Sequence, residues 1–358
     1  MNKLTKVGLS ALCGSLAAVS AANAGDMTVT GGVDMTWYSA DGNTSTTGNP
    51  MGIGSNLTFK GSGELDNGWT FAITVANLNG NAYSNSDVNI DMGGLGKLNI
   101  NQGNSGNGID AFDDKMPTAW EEPWGMGLGT GIKLVSGAGP ENNVMYTTPT
   151  VMGTTITLTV APDYGSGNTA DKGSASASDQ AGTGYDGTIN INPSLGTEFL
   201  SGLDVWVGYS TRESFQGEET TEEDVVEATV GGTFSLGPVS VGYARSGHFT
   251  GNNTTASDVA GYLNEMYGVS FNINDDLSVS YGTHESTQKF VNRVVDTASD
   301  NNTAENADVI TDVESFQIAY TMGGASIRYA SSEVENAAYQ TAAAYDKEAR
   351  VISVSLAF

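Results

Sequence analysis

The stretch from Met27 to Trp37, MTVTGGVDMTW, alternates apolar and polar residues almost without interruption. Successive side chains of a β-strand point to opposite faces, so this period of two predicts a strand with one apolar and one polar face. The apolar set is Met27, Val29, Val33, Met35 and Trp37, and the polar set is Thr28, Thr30, Asp34 and Thr36.

The same pattern returns along the whole chain. We count about sixteen such segments, each close to the ~10 residues of a tilted membrane strand. Representative apolar sets are Phe71, Ile73 and Val75; Leu277, Val279 and Tyr281; and Ile352, Val354, Leu356 and Phe358. The abundance of Gly, with 47 residues against 8 Pro, fits an all-β chain better than one of long helices.

The connections between these segments alternate between short and long. Short ones carry turn residues, at 65–68, 93–96, 237–238, 274–276 and 323–324. Long ones are polar and acidic, at 39–52, 104–141, 163–183, 213–223, 247–261, 287–312 and 336–345. A membrane barrel with short periplasmic turns and long extracellular loops has this alternation.

The charges on the polar face decide which face is inside. That face includes Asp34, Lys60, Glu64, Lys97 and Arg328. Enclosing them in a dry core would leave unpaired charges at several kcal/mol each. Sixteen strands leave room for a wide aqueous lumen, which accepts these groups while the apolar face meets lipid. The predicted fold is therefore an all-β, transmembrane, antiparallel β-barrel of about 16 strands.

The first segment, Met1 to Ala24, reads as a secretory signal. Lys3 and Lys6 precede an apolar run, and the segment ends in Ala22-Asn23-Ala24. The apolar run is too short to span a bilayer as a helix. We expect cleavage after Ala24 and a single barrel domain over 25–358.

The overall charge restricts the partners. With 14 Lys and Arg against 41 Asp and Glu, the formal net charge is −27. Such a chain repels nucleic acid and attracts cations. Its one cysteine lies inside the predicted signal, so disulfides play no part in the predicted fold.

Several motifs resemble the general bacterial porins, especially the acidic type of purple photosynthetic bacteria and their relatives. They are Leu57 to Gly61, Leu65 to Gly68, Asn143 to Pro149 and the carboxy-terminal Phe358. The resemblance implies passive diffusion of small hydrophilic solutes and ions through the outer membrane of a Gram-negative bacterium. It also implies a homotrimer in contact with outer-membrane lipid and lipopolysaccharide, and a Phe358 signal that the barrel-assembly machinery reads.

The resemblance further implies that the third long loop, here about 104–140, folds into the lumen as a constriction. The acids expected there are Asp110, Asp113, Asp114, Glu121 and Glu122. The bases expected on the opposite wall are Lys60, Lys97, Arg212 and Arg328. Positions where such porins usually carry arginine hold Asn56, Asp87 or Asn89, and Met145 or Thr147. Few basic residues are therefore expected on the wall opposite the acids, and we predict a pore that prefers cations.

Acidic loops also raise the question of metal binding. A second acidic cluster could bind Ca²⁺ or Mg²⁺ weakly and bridge the ion to lipopolysaccharide phosphates at the outer rim. Its members are Glu213, Glu218, Glu219, Glu222, Glu223 and Asp224. A solvated charge run explains the same residues. No calcium-loop motif is present, so we name no metal site and no cofactor.

Three other functions compete with a general pore. Trp120 and Trp124, on the expected inner loop, are the one feature that favours a substrate-specific, sugar-type channel. A soluble surface-layer protein or adhesin would have a similar composition. An enzyme would need His248 or His284, but no hydrolase, metalloprotease or phosphate-loop motif accompanies them. We expect no catalysis, and a pore-lining or rim position for His284.

Overall fold

The computed structural model describes residues 24–41, 49–79, 85–162, 164, 182–193, 200–213, 223–251, 259–291 and 307–357. The predicted signal before Ala24, Phe358, and Glu218, Glu219 and Glu222 of the second acidic cluster lie outside these ranges.

Sixteen strands form one closed antiparallel barrel, in which each strand pairs with its neighbours in sequence and the first pairs with the last. The strands are β1 Ala24–Asp41, β2 Met51–Glu64, β3 Thr70–Leu78, β4 Asn85–Asp91, β5 Lys97–Gln102, β6 Asn143–Thr147, β7 Thr154–Ala161, β8 Gly184–Ile191, β9 Leu203–Arg212, β10 Val225–Leu236, β11 Val239–Phe249, β12 Val259–Asn272, β13 Leu277–Phe290, β14 Val309–Met322, β15 Ala325–Glu335 and β16 Lys347–Ala357. The predicted fold class and strand number are confirmed.

The barrel closes where β1 and β16 pair, with Trp37 opposite Ile352. Closure removes the free sheet edges that would otherwise expose unpaired backbone groups to lipid. The period of two sorts the side chains as predicted. On β7, Leu158 is 54% exposed on the outer face, whereas the neighbouring Thr159, on the inner face, is 1% exposed.

Turns at one rim are tight. Gly237, with φ of 58°, and Pro238 join β10 to β11, and Gly323, with φ of 61°, begins the turn between β14 and β15. Positive φ is readily adopted only by glycine, which explains that residue at both turns. The other rim carries the long connections. No helix in the described part of the chain is long and apolar enough to cross a membrane.

The buried apolar residues form clusters inside the barrel rather than between two sheets. One cluster joins Phe112 and Met116, from the connection after β5, to Trp206, Ala244 and Met266 of the wall. Since two of its members belong to that connection, the loop between β5 and β6 lies within the lumen.

Candidate functional site

The loop after β5 packs on the inner wall through its apolar side chains. Phe112 stacks on Trp206 of β9, with ring centroids 5.7 Å apart and planes 16° from parallel. Ile109, also on the loop, is fully buried. Aromatic stacking and burial of this kind give the loop a fixed position in the lumen.

A second cluster holds the middle of the loop against β14 to β16. Leu128 packs with Val313, Val334 and Ala337. Ala337 belongs to the last long connection, so this connection also reaches inward. The amine of Lys347 donates a hydrogen bond of 3.0 Å to the Leu128 carbonyl oxygen. A base of the wall thus binds loop backbone rather than a loop carboxylate.

Two wall carboxylates accept backbone hydrogen bonds from the loop. Asp186 of β8 accepts from the Ile109 N–H at 3.3 Å and from the Ala138 N–H at 2.8 Å. Both donors come from short loop segments that have no strand partner. A buried carboxylate therefore satisfies buried donors that would otherwise be unpaired.

Glu227 of β10 has the same role as Asp186 and lies two strands further along the barrel. One of its oxygens accepts from the N–H groups of Ser136 and Gly137, at 3.3 and 2.5 Å. The other oxygen lies 2.5 Å from Nδ1 of His248. Gly137 has φ of 54°, and a β-carbon there would lie against Ile109 and the Asp186 carboxylate. Only glycine fits this close approach.

A glutamine of the wall binds the segment that carries the acids. Oε1 of Gln317 on β14 accepts from the N–H groups of Trp120 and Glu121, both at 3.0 Å, and its Nε2 donates to the Glu121 carbonyl at 2.5 Å. Ser280 of β13 accepts from the Ala119 N–H at 2.8 Å. This segment is fixed mainly through its backbone, which leaves its carboxylates free to interact with each other and with the lumen.

Three of the five predicted loop acids come together. Carboxylate oxygens of Asp114, Glu121 and Glu122 all lie within 4.8 Å of one another. Asp114 is exposed, Glu121 is half-buried and Glu122 is 7% exposed. Asp110 is buried and accepts a hydrogen bond of 2.6 Å from the Gly106 N–H. Clustered hard oxygens of this kind can hold Ca²⁺.

Burial and mutual repulsion raise the pKa of Asp110, Asp113, Asp114 and Glu122. Burial, then the charges of Asp114 and Asp110, raise the pKa of Asp113 to about 8. Burial raises the pKa of Asp110 to about 6, against a lowering by the Gly106 hydrogen bond. The pKa values of Glu122 and Asp114 are also raised, mainly by burial. The charges of Asp110 and Asp113 therefore change near neutral pH.

Of the four predicted wall bases, Arg328 lies against the loop. Its guanidinium donates to Asp34 at 2.7 Å, to Ser353 at 2.8 Å and to Ser355 at 3.0 Å. The same guanidinium carbon lies 4.8 Å from the centre of the Trp120 ring. The ion-pair partner of Arg328 is therefore Asp34 of β1.

The other three bases lie on β5, β9 and β2. Lys97 is the first residue of β5, at a turn, and pairs with Asp91 at 3.5 Å. Arg212 ends β9, and its guanidinium carbon lies 4.5 Å from the centre of the Tyr164 ring. Lys60 lies on β2, in register with Thr74 of β3.

The one ion pair between loop and wall within the described residues runs opposite to the expected polarity. Lys115 of the loop pairs with Asp204 of β9 at 3.2 Å. Loop base and wall acid are joined, where the resemblance led us to expect loop acids facing wall bases.

His284 is not a pore-lining or rim residue, and that prediction is wrong. It is 1% exposed, buried under the loop, with Nε2 3.1 Å from the Asn264 side-chain oxygen. The alternation on β13 correctly predicts that His284 faces the inside of the barrel. The sequence does not tell which part of the inner wall the loop covers.

The wall residues that hold the loop, namely Asp186, Glu227 and Gln317, were not predicted from the sequence. Each is a large polar residue at an inward position on a strand whose other inward residues are mostly small. That contrast was visible in the sequence, although it did not identify the loop as their partner.

Comparisons with known proteins agree with this architecture. The family model described as Gram-negative porin matches residues 8–307. No curated protein matches the chain. Among solved structures, an anion-selective porin from Comamonas acidovorans has a TM-score of 0.61 at 15% identity, covering 93% of this chain and 99% of its own.

Two further structures give similar values. The outer membrane protein OmpT of Vibrio cholerae in its trimer form has a TM-score of 0.62 at 10% identity, with 93% of this chain and 99% of that chain covered. The outer membrane channel DcaP of Acinetobacter baumannii has a TM-score of 0.61 at 10% identity, with 94% and 98% covered. The family match spans most of the sequence, and the chain belongs to the Gram-negative porins of the outer membrane.

Proposed function

We propose that this porin is a water-filled channel for passive diffusion of small hydrophilic solutes and ions, and that it prefers cations. The observation that supports the preference is the group Asp114, Glu121 and Glu122, three carboxylates within 4.8 Å on the inner loop. Carboxylates inside a narrow passage lower the entry cost of cations relative to anions. The bases near them are already paired, Arg328 with Asp34 and Lys115 with Asp204.

The barrel alone does not decide the sign of the preference. The similar Comamonas acidovorans structure is an anion-selective porin. The decisive measurement is the reversal potential of the purified protein in a planar bilayer under a KCl gradient. We expect a reversal potential whose sign indicates preference for K⁺. Its magnitude should be smaller when Glu121 and Glu122 are both replaced by glutamine. A chloride preference in the unmodified protein would refute the proposal.

A sugar-type channel has less support. Such a channel needs aromatic faces open to the solute, and the Trp120 ring lies under Arg328 while it packs against the Leu128 cluster. Block of the ion current by a sugar, in proportion to its concentration, would favour this alternative. We infer no catalytic role for His284, since it is buried and bonded to Asn264.

The remaining assignments follow from family membership. We propose cleavage of the signal after Ala24, a homotrimer, contact with lipopolysaccharide, and recognition of Phe358 by the barrel-assembly machinery. A trimer form among the similar structures supports the oligomer. We also propose weak Ca²⁺ binding at the carboxylates of Asp114, Glu121 and Glu122.

A further inference from the structure

A group of polar side chains on the barrel wall takes no part in holding the inner loop. Asp87 and Asn89 are inward residues of β4, and Asn99 is the inward residue of β5 directly opposite Asn89. Asp87 and Asn99 are each 6% exposed, whereas Asn89 is exposed to the lumen. The group is thus buried at Asp87 and Asn99 and open to the lumen at Asn89.

The hydrogen bonds within the group converge on two oxygens. Nδ2 of Asn99 donates to Oδ2 of Asp87 at 3.3 Å and to Oδ1 of Asn89 at 2.8 Å, and Nδ2 of Asn89 also donates to Oδ2 of Asp87. Oδ2 of Asp87 and Oδ1 of Asn89 therefore point at the same position, which the amide nitrogen of Asn99 occupies.

Two features of the group are unsatisfied. Oδ1 of Asn99 is buried and has no hydrogen-bond partner. Among the residues that the structure describes, no base lies within ion-pair distance of Asp87, and Lys60 is separated from it in the register by Thr74. A buried acceptor without a donor and a buried carboxylate without a counter-charge are both costly. A cation beside Asp87 balances the carboxylate directly, and it reaches Oδ1 of Asn99 only if that amide turns over.

We propose that Asp87, Asn89 and Asn99 form a Ca²⁺-binding position on the wall of the pore. The Asp87 carboxylate and the two amide oxygens are ligands of the type that Ca²⁺ takes, with water filling the remaining positions from the lumen. A half-turn of the Asn99 amide brings Oδ1 to the place that Nδ2 now occupies, because the two ends of this amide have nearly the same shape. One carboxylate makes the position a weak one.

This position goes beyond the proposed function: a bound Ca²⁺ would add positive charge to the wall where related pores are expected to carry arginine, and would therefore reduce the preference for K⁺. It is separate from the acids of the inner loop, which belong to a different segment. The test therefore uses a background in which Glu121 and Glu122 are both glutamine, so that the loop cluster no longer competes for the ion.

The experiment is Ca²⁺ block of the K⁺ current through the full-length pore in a planar bilayer. In the background protein we expect a block that saturates at millimolar Ca²⁺. Asp87→Asn and Asn99→Leu should each weaken it about tenfold, as loss of a ligand or its partner typically does. Asn99→Asp should strengthen it, because either oxygen of a carboxylate can face the ion.

The matched control is Asp91→Asn, which removes the same charge from the same face of β4. Asp91 lies beside Lys97 rather than the two amides, so the block should stay unchanged. Folding of each variant is checked by heat-modifiable migration on a denaturing gel, and Asn99→Asp keeps the test valid should another variant fail to fold.

The wall position is refuted if the background protein shows no block, or if Asp87→Asn and Asp91→Asn weaken the block equally. Neither result bears on the proposed cation preference, because that preference is tested separately by the reversal potential. Chloride preference in the unmodified protein together with Ca²⁺ block in the background would refute the proposed preference and support the wall position.

Discussion

The guanidinium carbon of Arg328 lies 4.8 Å from the centre of the Trp120 ring, so a base of the wall and an aromatic residue of the inner loop are stacked. The same guanidinium donates to Asp34 and to two serines. A planar guanidinium can stack its face on a ring while its N–H groups donate at its edge, whereas a lysine ammonium has no face to stack. Arg328 thus links the loop to β1 and β16.

Replacing Arg328 by Lys should lower the stability of the folded barrel by about 1 kcal/mol, because the charge stays but the stacking on Trp120 is lost and the hydrogen bonds that Nη2 donates are weakened. The measurement is the thermal unfolding midpoint in detergent. Arg350→Lys, on the outer face of β16, is the control and should differ little from the unmodified protein. Equal midpoints for Arg328→Lys and the control would contradict the assigned role.

Loss of the Glu227 carboxylate should release one end of the inner loop. Glu227→Ala leaves the N–H groups of Ser136 and Gly137 buried without an acceptor, at a local cost of about 1–3 kcal/mol. Glu227→Gln keeps one oxygen that can accept from them and should cost less. Hydrogen exchange at residues 133–139 measures the effect, and we expect faster exchange there with unchanged exchange in the β12 to β14 strands. Uniform acceleration throughout the barrel would show that Glu227 stabilises the wall instead.

The barrel was predictable from the sequence because its signal is local. Alternation such as Met27 to Trp37 identifies a strand and its two faces without knowledge of any partner. The partners of the loop depend on which inward positions lie beneath it, and that follows from strand register and loop path. For this reason Asp186 was missed, His284 was placed on the pore surface, and the pairing of Lys115 with Asp204 came out opposite to expectation.

Cation preference should increase with pH. The pKa values of Asp110 and Asp113 are raised to about 6 and about 8, and those of Asp114 and Glu122 are raised as well. Each group is neutral below its pKa and gains a negative charge above it, so the reversal potential should shift towards K⁺ between pH 5 and pH 9, a window set by these raised values. Asp113→Asn should remove the part of this shift near pH 8.

The same shifts predict a pH dependence of loop docking with the opposite sign. A carboxyl whose pKa is raised in the folded state binds its proton more tightly there than in the unfolded chain, so its contribution to stability is greatest at acidic pH and is lost as pH rises through the folded pKa. Hydrogen exchange of residues 108–114 should therefore be slower, after correction for intrinsic rates, at pH 5 than at pH 9. A protection that increases with pH would contradict the assigned burial.

Acids also face one another on the outer surface of the barrel. Glu333 of β15 is directly opposite Glu314 of β14 and Glu348 of β16, and Glu348 is opposite Asp41 of β1. Like charges directly across a ladder are destabilising by roughly 0.2–1 kcal/mol per pair. The hydroxyl of Tyr281 donates to Glu314 at 2.5 Å, which fixes that carboxylate without neutralising it.

Glu333→Gln should therefore raise the stability of the folded barrel in detergent by about 0.5–1 kcal/mol, since it removes repulsion from both neighbours. The gain should shrink at ~1 M salt, where the Debye length falls to about 3 Å. Glu64→Gln is the control, because Glu64 lies opposite Thr70 and has no acid across the ladder. The measurement is the thermal unfolding midpoint, at low and at high salt, of the unmodified protein, Glu333→Gln and Glu64→Gln. A loss of stability in Glu333→Gln would mean that the carboxylate makes a favourable interaction, such as a shared cation, that outweighs the repulsion.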